Sequence, residues 1–155
     1  MKRLSIIALM MFFSHSALAG GALSELELKE KAQAFINAKN ARQQPGSTEQ
    51  DVDDFISLLA DDFVDEHVKF KVTVTDKSEL RQGMVAKLKD KIYFSNVKIE
   101  EMMIGRNVVF VKFTEHAKGK PAHLDRAIEY TATNIISLEF NEDGLIKHIR
   151  RHHGL

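Results

Sequence analysis

The chain has no cysteine among its 155 residues. That excludes thiol catalysis, thiolate metal ligation and disulfide bracing, and leaves the core to stabilise the fold alone. It has no excess charge of one sign, with 22 basic residues against 22 acidic ones. No single-sign field is therefore available to hold nucleic acid or an anionic membrane surface. It also lacks an apolar run of the roughly 20 residues that a helix needs to cross a bilayer. The run from Leu4 to Phe13 is shorter and is interrupted by Ser5. There is no internal repeat, no low-complexity tract and no linker that would divide two domains.

The flanks of that short run are informative. Lys2 and Arg3 precede it, and Ala17-Leu18-Ala19 follows, ahead of Gly20-Gly21. A positive head, an apolar centre and a small-x-small site are the three parts of a secretory signal peptide. Residues 1–19 are expected to be removed after Ala19, giving a periplasmic or secreted protein with no membrane attachment. No cysteine follows the run, so a lipid-anchored form has no attachment point. Residues 1–19 hold two basic and no acidic side chains, so residues 20–155 carry a net charge of −2 with histidines neutral. Their length suits one domain with a real core.

Within that domain the first half reads as helical. Ser24 with Glu27 has capping-box spacing, and Leu26, Ala32, Phe35 and Ile36 give an apolar stripe running to about Gln43. Pro45-Gly46 stops it. Val52, Phe55, Ile56 and Leu59 stand at i, i+3, i+4 and i+7, so a second helix is predicted from Ser47 or Thr48 to about Asp62. Val68, Phe70, Val72 and Val74 alternate with polar residues, which predicts a strand with one buried face. Asp76 or Ser78 caps a third helix with Leu80, Met84, Val85 and Leu88 inward.

The remainder is strand-rich, with candidates at Val97 to Ile104, Val108 to Glu115, Ala127 to Phe140, and Leu145 to about His153. Lys118 to Asp125 reads as a mobile connection, and Asn141-Glu142-Asp143-Gly144 as a hairpin turn. The order is helix, helix, strand, helix, then four strands. This is an α+β fold, with three helices packed on a strongly curved, mostly antiparallel sheet that forms a cone around one pocket.

That order resembles the nuclear transport factor 2-like superfamily, including SnoaL-like polyketide cyclases, ketosteroid isomerase and scytalone dehydratase. Phe55 to Phe63 (FISLLADDF) is similar to the end of the family's second helix. Gly83 within LRQGMVAKL is similar to the glycine opening its third helix, and Phe140 to Ile149 (FNEDGLIKHI) to its last hairpin. The resemblance spans nearly all of residues 20–155. It places the isomerase's catalytic base at His67, its oxyanion-hole tyrosine at Phe35 and its oxyanion-hole aspartate at Ile136. Phe and Ile cannot build an oxyanion hole, so the isomerase mechanism is not carried over. The dehydratases of the superfamily work with histidine and aspartate, so a histidine base is compatible with the fold.

Alternation selects the pocket's lining. Val109, Val111, Phe113 and Glu115 share a face, with Glu115 near the mouth. So do Tyr130, Ala132, Asn134, Ile136, Leu138 and Phe140, and so do Lys147, Ile149, Arg151 and His153. The resemblance puts all three sets on the concave side; a register slip of one would exchange the last for Ile146, His148, Arg150 and His152. The pocket is expected to be mostly apolar, with Tyr130, Asn134, Glu115 and Arg151 as polar points and His67 at the rim.

Three functions fit. The first is binding of a small apolar or amphipathic molecule, with no cofactor. The second is a lyase or isomerase that dehydrates, enolises or cyclises a small carbonyl compound. There His67 is the general base, Tyr130 and Asn134 donate to a substrate oxygen, and Arg151 holds a carboxylate or pairs with Glu115. The third, implied by the resemblance, is a homodimeric interaction module using Met102, Ile104, Phe110 and Ile135 on the convex face. No metal is expected: His148 and His152 share a face but lie roughly 13 Å apart along a strand.

Overall fold

The computed structural model describes residues 22–154. The expected signal peptide, residues 1–19, lies outside the described residues. Helix α1, Glu25–Ala41, starts where the capping box predicts: Glu27 N–H bonds Ser24 Oγ, and the Glu27 carboxylate accepts from Ser24 N–H at 2.8 Å. Helix α2 spans Glu49–Ser57 and helix α3 spans Lys77–Ala86, the latter capped by Asp76. The strands are β1 Leu59–His67, β2 Val72–Val74, β3 Lys91–Gly105, β4 Val108–Lys120, β5 Ile128–Phe140 and β6 Ile146–Arg151. They form one mixed sheet in the order β2-β1-β6-β5-β4-β3, in which only β1 and β6 run parallel. The sheet is not closed. Its inner face packs on the helices through a core that includes Leu28, Phe35, Phe55, Phe63, Phe113, Leu138 and Ile149. The Phe35 and Phe55 rings meet at 5.2 Å, tilted by 47°, a favourable aromatic geometry.

The main departure from the sequence reading is β1. The predicted second helix continues to Asp62, but the chain leaves α2 after Ser57, and Ile146 N–H bonds Leu58 O at 2.9 Å. The pairing of β1 with β6 shifts register between Leu59 and Val64. That irregularity buries Leu59, Ala60 and Phe63 together, a spacing that imitates a helix and conceals a strand. The FISLLADDF segment is therefore a helix end followed by a strand. The alternating stretch after it carries no buried face. Val68–Phe70 forms a short 3-10 turn, Lys71 has φ 53°, and β2 is a three-residue edge strand. Phe70 there is 62% exposed. Gly83 lies in the second half of α3 and does not open it.

Irregularities also relocate faces elsewhere. The β3–β4 pairing slips between Ile99 and Glu101, which turns Met102 and Ile104 inward against the core. The convex patch expected to contain them instead exposes Met103 and Ile135, with half-buried Phe110 across from Met103. The β5–β6 pairing skips Lys147, so Ile146 and Ile149 are both buried while Lys147 points to solvent and meets Asp62. The segment expected to be mobile from Lys118 is strand through Lys120 and becomes a loop only after that. The final turn is as predicted: Gly144 takes φ 75° and its N–H bonds Asn141 O at 3.0 Å, a conformation glycine adopts without steric cost.

Candidate functional site

The cone encloses a cavity of about 450 Å³, within the usual range for small-molecule sites. All six residues singled out in the sequence line it: His67, Phe113, Glu115, Tyr130, Asn134 and Arg151. The register question at β6 is answered, since Arg151 faces the cavity and Arg150 is exposed on the other side, near Glu66.

The lining is more polar than strand alternation implies. The helical side adds polar groups that the sheet faces do not carry: Lys39 from α1, Arg42 to Gln44 and Ser47 from the α1–α2 connection, and Lys87 and Asp90 after α3. The apolar part consists of Val52, Met84, Leu88, Ile92, Phe113, Ala132 and Ile136. A second depression, about 430 Å³, lies between α1 and the turn into β6.

Two buried charge pairs organise the interior. Glu115 is not at the mouth and does not pair with Arg151. It is buried and takes the Lys39 ammonium on Oε2, while Tyr130 Oη donates to Oε1 at 2.6 Å. Burial pushes the Glu115 carboxyl up, but the charge and hydrogen bond of Lys39, with the Tyr130 hydroxyl, outweigh it and hold it below its ordinary value. Burial pulls Lys39 down, against the opposing pull of Glu115. Tyr130 is pushed up by burial and by Glu115, so it stays protonated. Its single proton is committed to Glu115, and Tyr130 is not the free donor the acid–base reading assigned to it.

The second pair is Arg151 with Asp65, a residue the sequence reading did not place in the site. Arg151 Nε and one Nη donate to the two Asp65 oxygens at 2.7 and 2.8 Å. This two-pronged geometry is the strong form of the interaction. It fully occupies the Asp65 carboxylate, which is 1% exposed. His67, two residues on, leaves its Nε2 3.7 Å from Asp65 Oδ1, too far for a hydrogen bond. Burial, together with the Arg151 charge, lowers the His67 pKa despite Asp65, so the imidazole is neutral near pH 7 and able to accept a proton. His153 is the other imidazole of the lining, with its ring 5.9 Å from that of His67.

Asn134 stands apart from both pairs, and among the described residues its side-chain amide has no protein partner. Phe35, at the position of the isomerase's tyrosine, is fully buried in the core, and Ile136 lines the cavity with a hydrocarbon surface. No oxyanion hole of that type is present among the described residues. Nor does any group of three His, Asp or Glu side chains among them come together as a metal site.

The missed residues carried a signal. Phe35, Lys39 and Arg42 are spaced i, i+4, i+7, so both cations continue the buried stripe of α1. A charge on such a stripe is either paired or functional. Asp65 was hidden by the reading of its segment as a helix end.

No family model matches the sequence, and no curated protein matches it. Solved structures do match in three dimensions. A protein of Shewanella denitrificans described as a SnoaL-like polyketide cyclase superimposes with a TM-score of 0.65 at 14% identity, covering 83% of this chain and 90% of its own. An LEH-like epoxide hydrolase of M. tuberculosis gives 0.61 at 19% identity, covering 83% and 84%. An NTF2-like protein of unknown function from an Exiguobacterium species gives 0.62 at 12% identity, covering 80% and 98%. With the element order and sheet topology, these likenesses establish that the chain has the nuclear transport factor 2-like fold.

Proposed function

We propose that this is an exported small-molecule-binding protein whose cavity takes one amphipathic ligand. The observation that carries this reading is a cavity of ligand size in which an apolar wall meets a few convergent polar groups, the Asn134 amide among them. Asn134 is half-buried and its amide makes no side-chain hydrogen bond among the described residues, so it is available to a ligand carbonyl or hydroxyl. Two structural neighbours bear the names of small-molecule enzymes, a polyketide cyclase and an epoxide hydrolase, which supports a small-molecule site. Export rests on the N-terminal pattern of residues 1–19.

The neutral His67 favours a second reading, in which the bound ligand is a carbonyl compound and His67 removes a proton beside the carbonyl. One experiment separates the two. Small carbonyl compounds are screened for binding by calorimetry and for proton exchange in deuterated buffer by NMR. Binding alone predicts that Asn134→Ala weakens affinity about tenfold, the equivalent of one hydrogen bond, and that no ligand exchanges its protons faster with protein than without. Catalysis predicts exchange that falls about 10²-fold or more in His67→Ala, with an acid limb below the ordinary histidine value because its pKa is lowered. Exchange that survives His67→Ala but not Asn134→Ala would remove His67 from the mechanism.

The convex face supports a further proposal, a homodimer through the sheet. Met103 is 61% exposed and shares that face with Ile135 and with Phe110, on which the His152 ring stacks, an apolar surface open to a partner among the described residues. Light scattering is expected to give twice the chain mass, and Met103→Glu to give the monomer. A strict monomer at high concentration contradicts it.

A further inference from the structure

The cations of the cavity are not all matched. Lys39 is held by Glu115 and Arg151 by Asp65. Arg42 is different: its Nε is buried and meets no acceptor among the described residues. Its guanidinium carbon packs over the Phe55 ring, 4.8 Å from the ring centre. Stacking fixes the plane of an arginine and leaves its in-plane N–H donors as the part that can bond. Burial, with the Arg151 charge beside it, pulls Arg42 down to about 10 even though Glu115 and Asp65 are near. Both of those carboxylates are already engaged by other side chains. One donor of a half-buried guanidinium is thus left without an acceptor at the cavity wall, and a buried donor that bonds nothing costs stability.

We propose, building on the binding reading above, that Arg42 anchors the carboxylate of a small amphipathic organic acid whose carbon body lies on the wall of Val52, Met84, Leu88, Phe113 and Ile136. The fork of a guanidinium matches the two oxygens of a planar carboxylate. Arg151, the residue the sequence nominated for this task, has spent two donors on Asp65 and is a positioning residue for that carboxylate. Asn134 meets a second polar group of the ligand.

The test pairs each acid with its neutral twin. Octanoate and octanamide, and 4-phenylbutanoate with its amide, are titrated at neutral pH into wild-type protein, Arg42→Gln and Arg42→Lys. Wild type is expected to prefer each acid over its amide by about 10- to 100-fold, the range of a charge-assisted contact. Arg42→Gln is expected to lose that preference, its affinity for each acid falling to about that for the amide. Without ligand it should melt no lower than wild type, because it removes a buried donor that has no acceptor. Arg42→Lys, which keeps the charge without the fork, should retain only part of the preference, and it decides the matter if Arg42→Gln does not fold. Equal binding of acid and amide by wild type, or an undiminished preference in either variant, overturns the carboxylate assignment and leaves the binding reading standing. Failure of both acids and both amides to bind at millimolar concentration overturns the two together.

Discussion

Replacing Arg151 with alanine is expected to destabilise the protein by about 3–5 kcal/mol, the usual effect of stranding a buried charge. In a domain of this size that is a fall in Tm of roughly 10–20 °C. The size of the effect follows from Asp65, not from the arginine itself. Asp65 is 1% exposed and receives both of its strong hydrogen bonds from Arg151, so the truncated protein keeps an ionised carboxylate with neither water nor partner. Removing both partners together, as Asp65→Leu with Arg151→Met, is expected to recover most of the loss, since a paired burial gains little over a hydrophobic one. A second readout reports on the site. Arg151 is one of the groups that lower the His67 pKa, after burial, so the His67 imidazole should titrate higher in Arg151→Ala by NMR. Thermal melts showing a loss under about 1 kcal/mol would place the pair in the class of surface bridges.

Glu115 is expected to govern acid unfolding. Its folded-state pKa lies below the unfolded value near 4.5, so the folded protein binds fewer protons there than the unfolded chain does. Its contribution is therefore complete above that unfolded value and is lost as pH falls through the folded one. Protonation would also deprive Lys39 of its counter-charge in the interior, where the ammonium side chain is 9% exposed. In Glu115→Gln, stability at neutral pH should drop by about 3 kcal/mol, because Lys39 is left unpaired. The acid limb below the unfolded carboxylate value should flatten, because the titrating group is gone. Denaturant melts across that range measure both. Tyr130→Phe should move in the same direction by a smaller amount, about 1–2 kcal/mol for one hydrogen bond to a charged group. An acid limb unchanged in Glu115→Gln would mean that other carboxylates carry it.

Much of the cone is legible in the sequence because long strands with one buried face write their alternation plainly. Val109 to Glu115 and Tyr130 to Phe140 are oriented as their period of two requires; with the concave side taken from the family resemblance, that orientation nominates Phe113, Glu115, Tyr130 and Asn134, whereas on the last strand alternation alone left Arg151 and Arg150 as alternatives. The failures cluster where pairing is irregular. The slip between Leu59 and Val64 makes β1 read as helix, the one between Ile99 and Glu101 turns Met102 and Ile104 inward, and the skip at Lys147 takes that residue out of the lining. A bulge inserts one residue into a period of two, so every face assigned beyond it inverts. Partners are a separate loss. Periodicity says that Glu115 and Arg151 face inward, but only three dimensions assign Lys39 to one and Asp65 to the other. Lys39 and Arg42 were available on the α1 stripe, where a reading that keeps only apolar residues passes over them.

On the binding proposal, this cavity is completed by a molecule that the chain does not itself provide. A crystal structure of the protein isolated from its own host tests it most directly. Density for one small molecule is expected to span the space between the Arg42 guanidinium and the Asn134 amide, with Glu115 on Lys39 and Asp65 on Arg151 as they are here. The contradicting result is a cavity holding ordered water alone, or one closed by Arg42 turning to pair with Glu115 or Asp65.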